Sequence, residues 1–274
     1  MKKTLLLIFI FSNIFASSRI VTLSPSLNEI VFALGCGEDI VANTLYSDYP
    51  KESKKIPKVG GYASLSLEKI VLAKPSLVLV QDYDEELLDK LKKLGLNFHS
   101  FRTDNLNSIK NTIRSIGKIL KKESRAEELI LDINNSLESI KNIVENRKIM
   151  IVISPKLELD RSIYISGNNL YFNDIINYSG NSNAYSSKSN NQPVVNVEKI
   201  IKMNPDIVIL LAPFMRSLGL KKEQLISPWE NLPIRATKDN NIYVIDKDYA
   251  GIPSNRVINF IEDFKEVLED VKSR

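Results

Sequence analysis

A fourteen-residue segment occurs twice in this chain, and that repeat limits the folds open to it. LEKIVLAKPSLVLV (residues 67–80) returns as VEKIIKMNPDIVIL (residues 197–210). Five of the fourteen positions are identical, and most others keep their apolar or polar character. Each copy reads as a short helix, a proline stop and a strand. Pro75 and Pro205 disfavour helical geometry in the residue before them, which ends the helix. The strands that follow are apolar at nearly every position, as in a parallel sheet covered on both faces. The repeat therefore predicts two similar α/β lobes.

The segments around the repeat fit that layout. Residues 19–23 form a short apolar strand broken by Ser24 and Pro25. Ser26, three residues before Glu29, has capping-box spacing, and Leu27, Ile30, Val31 and Leu34 continue as a helical stripe ended by Gly35. Ser124 and Glu127 form a second such pair, followed by Ala126, Leu129, Ile130, Ile133, Leu137, Ile140 and Val144 at helical spacing. Arg147 and Lys148 place positive charge at the expected C-terminal end. About 22 helical residues would span roughly 33 Å, as a rod without Gly or Pro. The expected organisation is a leader at 1–18, an N-terminal lobe at 19–122, a connecting helix at 123–147 and a C-terminal lobe at 148–274. In the second lobe, residues 149–153 and 243–245 read as strands and 177–192 as a polar surface loop. A last amphipathic helix starts at about Ser254.

The leader assignment rests on Lys2 and Lys3, an apolar run at residues 5–11, and small residues Ala16, Ser17 and Ser18. That is the layout of a cleaved secretory signal, and the run is far short of the ~20 residues that span a bilayer. With no Cys near the cleavage region, the expected product is a free periplasmic protein and not a lipoprotein. Without Lys2 and Lys3 the 37 basic residues become 35 against 33 acidic ones, a net charge of +2. Near-neutrality points to no nucleic-acid partner. Cys36, the single cysteine, allows no internal disulfide and is expected to be small and buried. His99, the single histidine, sits in an expected strand. One His and one Cys argue against zinc or manganese sites and against histidine-based nucleophile systems, so the expectation is no catalytic residues, no bound metal and no enzyme.

Four motifs in order, RIVTLSPS (19–26), YSDYP (46–50), VGGY (59–62) and LEKIVLAKP (67–75), resemble the helical-backbone solute-binding proteins of ABC importers for vitamin B12, ferric siderophores and haem. The resemblance implies two lobes, each with a central mainly parallel sheet flanked by helices, joined by one long rigid helix. It implies a ligand cleft between the lobes and a monomer that partners an importer's permease and ATPase. In the vitamin B12-binding member one glutamate on each lobe docks on permease arginines, which by alignment implies Glu68 and Glu198 for that role. The same alignment implies cleft positions at Tyr46, which keeps a tyrosine, and at Tyr62, Gln81 and Gln192, which stand where that member has tryptophans. Asp248 keeps an acid, and Ile252 replaces an arginine. Tyr83, Tyr164, Phe214 and Tyr249 are further aromatic candidates, and Arg102, Arg161 and Arg216 are candidates for an anionic chelate. The protein needs no cofactor of its own on this reading. The ligand stays open among cobalamin, a ferric siderophore and haem, whose iron tyrosine can ligate.

Overall fold

The structure is a computed structural model that describes residues 18–62, 64–82, 84–159, 162–187 and 192–274. The leader up to residue 17, Tyr83 and Arg161 lie outside the described residues. So does part of the polar stretch, residues 188–191. Among the described residues no helix is long and apolar enough to cross a membrane.

The N-terminal lobe carries strands β1 (Ile20–Thr22), β2 (Ile40–Ala42), β3 (Leu77–Gln81) and β4 (Phe98–Phe101), all parallel, in the order β2-β1-β3-β4. Its helices are α1 (Pro25–Ala33), α2 (Leu67–Leu72), α3 (Glu85–Lys93) and α4 (Leu106–Ile119). Helix α5 (Glu123–Glu138) follows. The C-terminal lobe has β5 (Lys148–Ile153), β7 (Ser182–Asn183), β9 (Ile207–Leu211) and β10 (Ile242–Ile245). These are again parallel, in the equivalent order β7-β5-β9-β10. The short strands β6 (Ile163–Tyr164) and β8 (Val194–Val195) make a separate antiparallel pair. Helices α6 (Tyr171–Tyr178), α7 (Val197–Met203), α8 (Lys222–Ile226), α9 (Arg235–Lys238) and α10 (Val257–Ser273) complete the lobe.

The repeat maps onto α2-β3 and α7-β9, and both strands are buried at every residue. The residue before each proline is not extended. Lys74 (φ 46°) and Asn204 (φ 48°) both take the left-handed conformation, which turns the chain sharply from helix to strand. The likeness also extends beyond the fourteen residues. The Ser76 hydroxyl accepts from the Arg19 N–H at 2.9 Å, and the Asp206 carboxylate accepts from the Lys148 N–H at 2.7 Å. Asn97 and Asn241 then donate to the carbonyls of Ser76 and Asp206. In both lobes a polar side chain at the head of the repeat strand therefore ties down the start of the lobe's first strand.

Two expected helix starts are corrected. Ser24, not Ser26, caps α1: its hydroxyl accepts from the Leu27 N–H at 3.2 Å, and Pro25 takes the first helical position. Lys122 precedes α5 with no side-chain cap, so Ser124 lies inside the helix and Glu127 pairs with Arg114 of α4 at 2.6 Å. The connecting helix is also shorter than expected. It ends at Glu138, 16 residues or about 24 Å long, and Asn142 and Asn146 turn the chain through positive φ before β5.

The lobes are joined by more than that helix. One continuous apolar core runs from Leu27 and Ile30 of α1 through Ile113 of α4 and Ile133 of α5 to Ile175 of α6 and Phe260 of α10. The Phe260 ring meets Phe172 edge-on at 4.9 Å, and the Tyr171 N–H donates to the Asp104 carbonyl across the lobes. Cys36 is buried, as expected, and burial pushes its thiol pKa up. His99 is an exposed residue of β4.

Candidate functional site

Between the lobes lies a cleft of about 1740 Å³. Drug-sized pockets occupy about 300–1,000 Å³, so this space suits a larger ligand. Four of the expected positions line it: Tyr46 and Tyr62 from the N-terminal lobe, Gln192 and Asp248 from the C-terminal one. Arg102 and Ile252 also face it. Tyr46 and Tyr62 are 62% and 63% exposed, and such large aromatic surfaces left open to solvent suit stacking on a flat ligand.

The VGGY motif explains how the two tyrosines come together. Gly60 has φ +117°, and a Cβ there would fall 2.1 Å from the Ser64 carbonyl oxygen, so only glycine fits. A Cβ on Gly61 would stand 3.1 Å from the Tyr46 ring, which packs against this backbone. The loop carrying Tyr46 is held by a buried polar network. Asn28 of α1 donates to the Tyr49 carbonyl at 3.0 Å and to the Ser53 hydroxyl at 2.8 Å. The Lys58 ammonium bonds Asn43 Oδ1 at 2.7 Å and the carbonyls of Ser53 and Ser47 at 3.0 and 3.1 Å. Burial lowers the Lys58 pKa, and the Asp48 carboxylate opposes that fall.

Five candidate positions lie elsewhere. Gln81 is 7% exposed, and its amide donates to the Thr103 hydroxyl at 3.1 Å and to Ser24 at 3.3 Å, just past the C-terminal ends of β4 and β1. The Tyr249 hydroxyl donates to Asp263 of α10 at 2.8 Å, in a separate groove along β10. Tyr164 lies by a small pocket beneath β6. Phe214 packs against the apolar core of the C-terminal lobe, and Arg216 pairs with Asp246 in the β10 groove at 2.8 Å.

The alignment missed most of the cleft floor. It is made by the entries to α4 and α6, through Asp104, Asn105, Asn168, Asn169 and Tyr171. The Asp174 carboxylate accepts from the Leu106 N–H at 2.8 Å, and burial raises its pKa. Clusters of Asn and Asp just before an apolar helix were the available signal, but such clusters equally mark ordinary caps. Among the described residues the charged side chains lining the cleft are Arg102, Lys110, Asp104, Asp174 and Asp248. Arg102 is already drawn to Asp82 at 3.4 Å and Asp104 at 3.9 Å. The Lys110 ammonium bonds Asn134 at 3.2 Å.

Asp248 is held from below. Its carboxylate accepts from Arg256 at 3.0 Å, and Arg256 is paired to Glu29 of α1 by two bonds of 3.0 and 2.5 Å. Arg256 and Glu29 are both buried. Burial pushes the Glu29 carboxyl up in pKa, and the bonds from Arg256 oppose that rise. Among the described residues no group of three His, Cys, Asp or Glu side chains could hold a metal ion.

The two glutamates of the repeat stand outside the cleft. Glu68 and Glu198 are exposed in the first turns of α2 and α7, and the Asn196 amide donates to Glu198. Beside Glu68, Val71 and Leu72 are 43% and 69% exposed.

Comparison with known proteins adds to this picture. The family model described as "Periplasmic binding protein" matches residues 20–249. A vitamin B12-binding protein of Vibrio parahaemolyticus is 26% identical over 261 residues, covering 93% of this chain and 91% of the relative. An uncharacterized ABC transporter substrate-binding lipoprotein of Bacillus subtilis is 27% identical, covering 91% of this chain and 79% of the relative. The crystal structure of the periplasmic vitamin B12 binding protein BtuF of Vibrio cholerae superposes with a TM-score of 0.79 at 19% identity. That superposition covers 94% of this chain and 98% of the other, and shows the shared two-lobed fold.

Proposed function

The chain belongs to the periplasmic binding protein family, and from that premise we propose that it captures a cobalamin-class corrinoid and delivers it to the permease of an ABC importer. The observation that carries the ligand class is the lining of the cleft. Among the described residues its charged side chains are two bases against three acids, and Arg102 lies 3.4 Å from the Asp82 and 3.9 Å from the Asp104 carboxylate. Among the described residues a polyanionic ferric siderophore would find one arginine there, already beside two carboxylates. A corrinoid carries its charge inside a ring fringed with amides, whose N–H groups suit Asp and Asn acceptors and whose flat faces suit Tyr46 and Tyr62. The vitamin B12-binding relative supports the same ligand. Calorimetric titration of the chain from Arg19 onward with cyanocobalamin is the test. A Kd of about micromolar or better, roughly −8 kcal/mol, is expected. Tyr46→Ala and Tyr62→Ala should each weaken binding about tenfold, and absence of heat at several temperatures overturns the reading.

A second reading, haem, is supported by the two exposed cleft phenols, since tyrosine can ligate haem iron. A charge-transfer band on mixing with hemin that is lost in Tyr62→Phe would favour it over cobalamin.

On this proposal the protein carries out no catalysis and acts as a periplasmic monomer, with the leader removed. That it is not lipid-anchored is supported by the place of Cys36. Lipidation there would require cleavage before it, which would remove β1 from within the sheet along with α1. The glutamates provide the docking points. They sit at equivalent places on the two lobes, as a permease with two-fold character would require. Glu68→Ala with Glu198→Ala should leave cyanocobalamin affinity unchanged and reduce uptake in cells by tenfold or more. Undiminished uptake would remove docking from these residues.

A further inference from the structure

Arg256 touches three elements: α1, the segment carrying Asp248 and the loop carrying Tyr49. It holds Glu29 of α1 by two hydrogen bonds, as above. Its Nη1 holds Asp248, which lies 70% exposed at the cleft. Its guanidinium also lies 3.8 Å from the centre of the Tyr49 ring, within the same short loop as Tyr46. A guanidinium has donors in its plane and π faces above and below, so one side chain can serve two carboxylates edge-on and an aromatic ring face-on. The Ser254 hydroxyl completes the arrangement by donating to Glu29 at 2.5 Å.

We propose that Arg256 is a positioning residue for the ligand site, fixing the Tyr46 loop of one lobe and the Asp248 carboxylate of the other at a set separation across the cleft. It touches the rear of both groups and not the ligand. Three features of the structure support this. Arg256 is only 6% exposed, so its contacts are not exchanged with water. The Tyr46 loop is anchored on its own lobe through Asn28 and Lys58, and its Tyr49 ring meets Arg256 of the opposite lobe. Glu29 sits in rigid α1 and gives the guanidinium a fixed seat. Pre-setting the two walls removes ordering that a ligand would otherwise have to impose.

The proposal rests on the cleft being the ligand site, and its test is arranged so the two can fail separately. Arg256→Lys keeps the charge and loses the fork and the flat face. Tyr49→Leu removes the ring, which is 44% exposed and not needed for the core. Each variant should weaken cyanocobalamin binding about tenfold at unchanged stoichiometry, and the double variant should be little worse than either single one. Amide hydrogen exchange without ligand should rise at residues 43–58 in both variants and stay unchanged in β3 and β9. Binding at wild-type affinity with unchanged exchange at 43–58 overturns the proposal. So does exchange that rises equally in β3 and β9, because that is general loosening. If the unaltered protein fails to bind cyanocobalamin, the corrinoid reading falls and the exchange result alone decides the role of Arg256.

Discussion

Arg256→Met lowers the unfolding free energy by about 3–5 kcal/mol, because it strands Glu29 as an uncompensated buried charge. The Glu29 side chain is 2% exposed, and Arg256 supplies two of its three side-chain bonds. With the cation gone, the carboxylate either stays ionised without a partner or takes up a proton, and both are unfavourable at neutral pH. Burial already pushes its pKa upward, so the variant should lose least stability under acid conditions, where protonation is easiest. The double variant Glu29→Met with Arg256→Met replaces the pair by apolar side chains of similar length. It should recover most of the loss, since a buried ion pair and a well-packed apolar pair are often close in free energy. Urea denaturation of the three proteins at pH 7 measures this. A single variant within 1 kcal/mol of the parent would show that water reaches Glu29.

Phe260→Ala should be as damaging, at about 3–5 kcal/mol, and should weaken both lobes together. Phe260 is fully buried, edge-on to Phe172 and Tyr171 of α6, and stacked near Phe264 at 6.2 Å. Its helix, α10, also packs on α5. The core it belongs to continues into α1 and α4, so the cavity opens in a region shared by the two sheets. Calorimetry should therefore show one cooperative transition in the parent and one in the variant, moved down by several degrees. Two separate transitions would mean that the lobes fold independently and that the shared core contributes little coupling.

The same core accounts for how the lobes are held. The connecting helix is one and a half turns or more shorter than its apolar periodicity suggests, because Ile140 and Val144 keep the helical spacing after the helix has ended. Ile140 still faces the core from the turns that follow. The periodicity reported burial correctly and helicity incorrectly. What stiffens the junction is packing of α4 and α10 against α5 and of α6 against α4, together with the Glu29–Arg256 pair.

Much of the framework was legible from local pattern alone. The repeat predicted two equivalent helix-strand units, and the apolar runs predicted strands buried on both faces, because burial on two sides requires apolar residues at every position. Capping was less legible. The S-x-x-E spacing occurs at Ser26 and Ser124, but the chain enters α1 two residues too early for the first, and Glu127 is drawn to Arg114 at the second. Side-chain direction at the strand ends was decided only by tertiary structure. Gln81 aligns with a cleft position and Tyr249 is a further aromatic candidate, yet Thr103 and Asp263, brought near by other elements, hold them elsewhere. The Glu29–Arg256 pair joins residues 227 positions apart and has no local signature. Local sequence encodes which faces are apolar, because that depends on each residue's own transfer free energy. Which polar groups meet depends on how those faces pack, and that is settled only when the whole chain has folded.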